Sequence, residues 1–122
     1  MNSILLIDDD DALRRTMGRM LTGAGYAVVE ATNGSAALSL IEIAKPAVVI
    51  TDVFMPEKNG IDTTKEIRAH CPEIKILAIT GSGRAGRFYD LVKEMGANGV
   101  LEKPFTKQAL LDAVQQLLPQ SA

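Results

Sequence analysis

The sequence has no tryptophan, only one cysteine and no long nonpolar run, and each absence narrows what the protein can be. A single cysteine, Cys71, cannot form a disulfide within the chain, so a reducing compartment is expected. Nonpolar runs such as Ile4 to Ile7 are far shorter than the roughly 20 residues that cross a bilayer. The N-terminus also lacks the basic region and cleavage site of a signal peptide. We therefore expect a cytoplasmic chain that does not enter a membrane.

The chain is also poor in positive charge. It has 13 Lys and Arg against 15 Asp and Glu, which gives a formal charge of -2 and an isoelectric point near 5.3. A protein that grips a phosphate backbone needs a basic face, so direct binding of nucleic acid is not expected. What is present is 122 residues of ordinary globular composition, 47% hydrophobic and 23% charged. This size predicts a single domain, residues 1–122, with a packed core.

Short nonpolar segments alternate five times with segments of helical periodicity. The predicted strands lie at about residues 3–7, 27–31, 47–51, 74–80 and 99–102. Nonpolar residues at spacings of three, four and seven predict helices between and after them, around residues 13–21, 37–44, 88–95 and 110–118, with a weaker helix at 60–69. The pattern favours an α/β fold, an open doubly wound sheet of five parallel strands with helices on both faces.

Polar side chains stand at the carboxyl ends of four predicted strands. Asp8 and Asp9 follow the first strand, Asp52 the third, Thr80 ends the fourth, and Lys103 comes just after the fifth. If the strand order is 2-1-3-4-5, the first and third strands are neighbours and the three aspartates lie within a few ångströms. Such carboxylates either take up protons, with raised pKa values, or hold a cation. Oxygen ligands favour Mg²⁺, with Mn²⁺ second, and leave Asp52 as the central nucleophile.

Other interpretations of these residues stay open. Adjacent acids after a strand are often a helix N-terminus, a role we expect for Asp10 and Asp11. We expect Arg14, Arg15 and Arg19 to form a solvated helix face.

Two enzymes and one binding module are the rival functions. Residues 81–86 read G-x-G-x-x-G, which alone resembles a dinucleotide fingerprint, but the chain lacks a second mononucleotide half. Asp8 and Asp10 form a D-x-D pair like that of haloacid-dehalogenase-like phosphatases, in which the first acid is the nucleophile. An interaction domain that is never phosphorylated is the third alternative.

In order and spacing, these segments resemble the receiver domains of bacterial response regulators, the CheY-like family, over essentially the whole chain. The matching segments are Ile4 to Asp10, Ala31 to Gly34, Val49 to Pro56 with Gly60, Ala78 to Gly81, and Gly96-Ala97 through Lys103-Pro104-Phe105. The resemblance implies a flavodoxin-like (βα)₅ fold with Asp52 as phosphoacceptor. It implies that Asp8, Asp9, Asp52 and the main-chain carbonyl of Phe54 hold the metal, and that Thr80 and Lys103 bind the phosphoryl group.

The resemblance also implies partners. The donor would be a phosphohistidine on a sensor histidine kinase or histidine phosphotransfer protein, and the receiver would catalyse its own phosphorylation and dephosphorylation without turning over a separate substrate. A downstream protein or output domain would bind through the fourth helix, fifth strand and fifth helix, with the chain a monomer or a phosphorylation-dependent dimer.

Many receivers carry Tyr or Phe where this sequence has Val100, which leaves the readout open. A cis bond between Lys103 and Pro104 is implied too. Whether the chain stands alone or belongs to a longer regulator stays open.

Overall fold

The computed structural model describes residues 2–53, 60–81, 94 and 96–118. Its strands are β1 (Ser3–Ile7), β2 (Ala27–Ala31), β3 (Val48–Asp52), β4 (Lys75–Thr80) and β5 (Gly99–Glu102). Its helices are α1 (Asp11–Gly23), α2 (Ala37–Ala44), α3 (Gly60–His70) and a C-terminal helix (Lys107–Leu117), with a 3₁₀ turn (Gly34–Ala36) before α2. The helix predicted at residues 88–95 lies, apart from the helical Glu94, outside the described residues.

The five strands form one parallel sheet in the order β2-β1-β3-β4-β5, which confirms the predicted order. β1 pairs with both β2 and β3, so that Ile7 lies opposite Ala31 on one side and Thr51 on the other. The winding direction reverses at β1 and β3, and ligands of such sheets bind outside the carboxyl ends of the strands at that point. The fold therefore brings the loop after β1 next to the end of β3.

Alternate residues of the central strands pack on opposite faces of the sheet, as the period of two in a strand requires. One cluster joins odd-numbered residues of β1 and β3, such as Leu5 and Val49, to α2 and α3. The other joins their even-numbered neighbours, such as Leu6 and Ile50, to α1 and the C-terminal helix. Helices thus cover both faces, as predicted. None of the helices in the described part of the chain is long and nonpolar enough to cross a bilayer.

Side-chain caps start two of the helices. Asp10 precedes α1 and accepts a hydrogen bond from the Leu13 amide at 3.1 Å, while Asp11 lies in the first turn. These contacts confirm the predicted helix N-terminus, where a carboxylate satisfies a free amide and favours the helix dipole. Thr106 caps the C-terminal helix in the same way, through the Ala109 amide at 3.0 Å.

Candidate functional site

Three aspartates meet at the carboxyl edge of the sheet, at the boundary between β1 and β3. Asp8 and Asp9 directly follow β1, and Asp52 is the last residue of β3, one residue later than the strand end predicted from sequence. Each contributes one carboxylate oxygen to a group in which all three oxygens lie within 4.8 Å of one another. Asp8 and Asp52 are buried, with 0% and 6% exposed, whereas Asp9 is exposed. The structure therefore brings together the acids that the strand order predicted to be close.

Asp8 is held at three of its four polar atoms. Its amide donates to the Ala31 carbonyl at 3.1 Å, its carbonyl accepts from Nη1 of Arg14 at 2.9 Å, and Oδ1 accepts from the Asp10 amide at 2.9 Å. The fourth atom, Oδ2, is buried and has no hydrogen-bond partner among the described residues. Burial raises the pKa of Asp8 to about 6; the Asp10 amide opposes this shift, and the charge of Asp52 adds to it. This carboxylate is thus costly to ionise unless a cation binds it.

Lys103 supplies the positive charge at the site. Its Nζ donates to Oδ2 of Asp52 at 2.7 Å and lies 3.8 Å from Oδ2 of Asp8. Burial lowers the pKa of Lys103, but the hydrogen bond to Asp52 and the nearby carboxylate charges outweigh it, so the net shift is upward. The Lys103-Pro104 bond is cis, as the family resemblance implies. Lys103 is therefore a fixed cation that contacts the central carboxylate directly.

Thr80 ends β4 on the other side of β3. The register pairs Asp52 with Ile79, so Thr80 lies one residue further toward the same edge of the sheet. Thr80 is fully buried, and its Oγ1 has no hydrogen-bond partner in the part of the chain that the structure describes. A buried hydroxyl without a partner costs about 1–3 kcal/mol. Such a hydroxyl, next to the acid cluster, is suited to donate to an oxygen of a ligand.

The donor set fits a small, hard divalent cation. All three candidate ligands are carboxylates, and Mg²⁺ binds oxygen at about 2.1 Å, which separates opposite ligands by about 4.2 Å. Adjacent ligands of such an ion lie about 3.0 Å apart, so carboxylate oxygens that lie within 4.8 Å of one another approach further when the ion binds. The unpartnered Oδ2 of Asp8 is the atom that such an ion would satisfy. Phe54, whose carbonyl the resemblance adds to the ligands, lies outside the described residues, as do residues 82–86 of the glycine-rich segment.

A nonpolar cavity of about 440 Å³ flanks the lysine. It is lined on one side by residues of α1, including Met17 and Met20, and on the other by Lys103, Pro104 and Phe105. A protein that approaches Asp52 from this side would therefore meet a largely nonpolar surface beside the charged centre.

Sequence reasoning missed one residue at the site. Arg14 was expected on a solvated helix face with Arg15 and Arg19, but only these two are exposed; Arg14 is 7% exposed and bonds to the carbonyl of Asp8. The spacing contained the signal. Arg14 stands three and seven residues before Met17 and Leu21, so it falls on the buried stripe of α1.

Comparisons with known proteins find many relatives of this chain. A family model described as the response regulator receiver domain matches residues 4–115. Chemotaxis protein CheY of Thermotoga maritima is 35% identical over 115 residues, 93% of this chain and 95% of that protein. Transcriptional regulatory protein CpxR of Escherichia coli is 37% identical over 122 residues, 99% of this chain but 51% of that protein. The structure of chemotaxis protein CheY4 of Vibrio cholerae matches with a TM-score of 0.90 and 32% identity, covering 97% of this chain and 99% of that one. The chain thus spans nearly all of CheY and about half of the transcriptional regulator.

Proposed function

The chain belongs to the response regulator receiver domain family, and on that basis we propose that its Asp52 accepts a phosphoryl group while a divalent cation is held by Asp8 and Asp9. Receiver domains of two-component systems are signalling phosphoacceptors. The observation that carries the assignment to Asp52 is its position: its Oδ2 lies 2.7 Å from Nζ of Lys103, and one of its oxygens belongs to the acid cluster. The other two acids flank it and are left to bind the cation.

The reaction we propose is a direct transfer. An oxygen of Asp52 attacks phosphorus, a P–O bond forms, and the bond from phosphorus to the donor nitrogen breaks, with the electron pair staying on that nitrogen; because the other ring nitrogen of the donor already carries a proton, a neutral imidazole leaves. Mg²⁺, when bound, would supply positive charge to the oxygens of the phosphoryl group. Lys103 would exchange its bond to Asp52 for one to a phosphoryl oxygen, and Oγ1 of Thr80 would donate to another. Catalysis by these residues rests on position and charge rather than on proton transfer.

The donor and the readout are proposed from the same family. The donor would be a phosphohistidine of a sensor kinase or histidine phosphotransfer protein, and the downstream partner would bind near β5 and the C-terminal helix. Val100 on β5 is half-buried and packs against the core cluster of α2 and α3, so no ring is available there to report the state of the site. The amide of Lys103 donates to the carbonyl of Thr80 at 2.8 Å. We expect movement of Thr80 to reach β5 through this bond.

A phosphorylation assay tests the proposal. The protein is incubated with Mg²⁺ and acetyl phosphate and its intact mass is measured, with Asp52→Asn treated identically. We expect one phosphoryl adduct on the wild type and none on Asp52→Asn. An adduct that maps to Asp8 would support the phosphatase alternative instead, although Asp10, the second acid of that pair, caps α1. Absence of an adduct together with absence of Mg²⁺ binding would support the interaction domain that is never phosphorylated.

A further inference from the structure

Arg14 is a buried cation that makes three polar contacts with described residues, and none of these contacts is to a carboxylate of Asp8, Asp9 or Asp52. Its Nη1 donates to the carbonyl of Asp8 at 2.9 Å and pairs with Oδ1 of Asp11 at 2.7 Å, while Nε donates to Oε1 of Glu30 at 3.0 Å. Asp11 is the first residue of α1 and Glu30 belongs to β2. One guanidinium therefore joins the loop after β1 to the start of a helix and to the neighbouring strand.

Stability alone is a weak reason for such a residue. Removing a guanidinium from water is expensive, and a nonpolar side chain of similar size in its place is often neutral or stabilising. Here the hydrogen bond to Asp11 and the contact with Glu30 keep the guanidinium charged, and the pKa of Arg14 is raised. What a nonpolar residue would not reproduce is the directed bond to the Asp8 carbonyl. The planar guanidinium of Arg14 donates to this carbonyl through Nη1 and to Glu30 through Nε at the same time.

The surroundings of Glu30 fit this arrangement. A Cβ built on Gly18, in the middle of α1, would lie 3.3 Å from Oε2 of Glu30. Glycine inside a helix costs about 1 kcal/mol relative to alanine, and at this position it leaves room for the carboxylate. Glu30 also precedes Ala31, whose carbonyl accepts the Asp8 amide. The end of β2 thus holds Asp8 from two sides, directly through Ala31 and indirectly through Glu30 and Arg14.

We propose that Arg14, supported by Glu30, is a positioning residue that fixes the loop of Asp8 and Asp9 for binding of the divalent cation. Asp8 has its amide, its carbonyl and Oδ1 bonded, which leaves only Oδ2 for a ligand. Arg14 is the side chain that holds the carbonyl, among the residues the structure describes. Without the bond from Arg14, the main chain between Asp8 and Asp9 can rotate, and the two carboxylates no longer point toward the same ion. This inference rests on the proposed function, because it assumes that these acids bind the ion.

The test separates metal affinity from stability. Arg14→Lys keeps the positive charge but loses the guanidinium that contacts the Asp8 carbonyl and Glu30 together. Glu30→Gln keeps the shape of the side chain but removes the negative charge that pairs with Arg14. Arg15→Lys on the same helix is the matched control, since Arg15 is exposed. Mg²⁺ affinity is measured by calorimetric titration, and thermal unfolding is measured in EDTA. We expect both test variants to bind Mg²⁺ about 10-fold more weakly, the lower end of the usual loss for residues that orient metal ligands. The control should match the wild type.

The rate of phosphorylation by acetyl phosphate is then followed as Mg²⁺ is raised. Substituting a residue that acts only through the metal ligands raises the Mg²⁺ concentration that gives half of the maximal phosphorylation rate. At saturating Mg²⁺, the rate of such a variant returns to within about twofold of the wild type. Unchanged Mg²⁺ affinity in folded Arg14→Lys and Glu30→Gln would overturn the inference, as would a loss of rate that saturating Mg²⁺ does not restore. If Arg14→Lys fails to fold, Glu30→Gln decides, because Glu30 is partly exposed. If the wild type itself binds no Mg²⁺, the proposed function fails, which is a separate result.

Discussion

Replacing Asp8 with asparagine should make the protein without metal more stable, even though it damages the site. Asp8 is fully buried, its Oδ2 has no hydrogen-bond partner in the described part of the chain, and a second carboxylate, that of Asp52, lies nearby. Asparagine has nearly the same shape, and its side-chain oxygen retains the bond from the Asp10 amide. The substitution removes the buried negative charge and its repulsion with Asp52.

The magnitude follows from the pKa of Asp8, which burial raises from 3.8 to about 6. Each pKa unit corresponds to about 1.4 kcal/mol, so the ionised carboxylate destabilises the fold by at most about 3 kcal/mol. The asparagine amide brings two donors that need partners, which reduces the expected gain to about 1–2 kcal/mol. The folded protein binds the extra proton between pH 3.8 and about 6, so the stability of the wild type falls across this window as pH rises. The advantage of asparagine is therefore absent below pH 3.8 and complete above about pH 6.

Urea unfolding in EDTA, from pH 4 to pH 8, measures this difference, and the same titrations with Mg²⁺ test its reversal. An ion at 100 times its dissociation constant stabilises the wild type by about 2.7 kcal/mol, and Asp8→Asn should gain much less. Asp9→Asn is the control, because Asp9 is exposed and its charge costs little to solvate. A variant that is no more stable than the wild type at pH 8 in EDTA would refute the reasoning. So would a difference that does not change with pH.

Two further substitutions test the packing and the charge of the site. Gly34→Ala should lower the free energy of unfolding by about 1–3 kcal/mol in urea titrations, because a Cβ there would overlap Oγ1 of the buried Thr63. Gly23→Ala is the control, because a Cβ built on Gly23 meets no atom of the described residues within 4 Å, and it should not lower the free energy of unfolding. Lys103→Met should bind Mg²⁺ at least as tightly as the wild type by calorimetry, because a competing cation is removed from Asp52, yet react with acetyl phosphate about 10-fold more slowly or worse. Weaker Mg²⁺ binding by Lys103→Met, or an undiminished rate, would contradict this role.

The sequence predicts the sheet well because its central strands are buried on both faces. β1, β3 and β4 therefore appear as continuous nonpolar runs, and the turn residues that bound them limit each strand to within about one residue of its observed ends. The cluster of acids is predictable for a related reason. The handedness of the crossovers fixes which ends of the strands share an edge, and the order 2-1-3-4-5 makes β1 and β3 neighbours. Neither step requires knowledge of a side-chain conformation.

The spacing places Arg14 on the buried stripe of α1, but a buried charge also needs a partner, and that partner comes from tertiary contacts. Periodicity arguments assign a charged residue to solvent unless a partner is known, and the partner here, Glu30, is 16 residues away on another element. Only the pairing of β1 with β2 brings Glu30 beside α1. The extra residue of β3 has a similar origin. Asp52 continues the ladder with Ile79, so a carboxylate that looks like a loop acid in the sequence is part of the strand.

In the part of the chain that the structure describes, two buried side-chain oxygens of the site have no hydrogen-bond partner, and they lie on opposite sides of Asp52. Oδ2 of Asp8 follows β1 and Oγ1 of Thr80 ends β4, while Asp52 belongs to β3 between them. A cation bound by the carboxylates satisfies the first atom but offers nothing to a hydroxyl donor. If Asp52 is phosphorylated as proposed, the phosphoryl group would bring acceptor oxygens for the hydroxyl of Thr80, and it would also add negative charge beside the cation and Lys103. On the proposed function, metal binding alone would leave the Thr80 hydroxyl without a partner among the described residues, and phosphorylation would supply one for it as well. This difference would give the proposed phosphorylation a physical means to change the end of β4 and, through the bond from the Lys103 amide to the Thr80 carbonyl, β5.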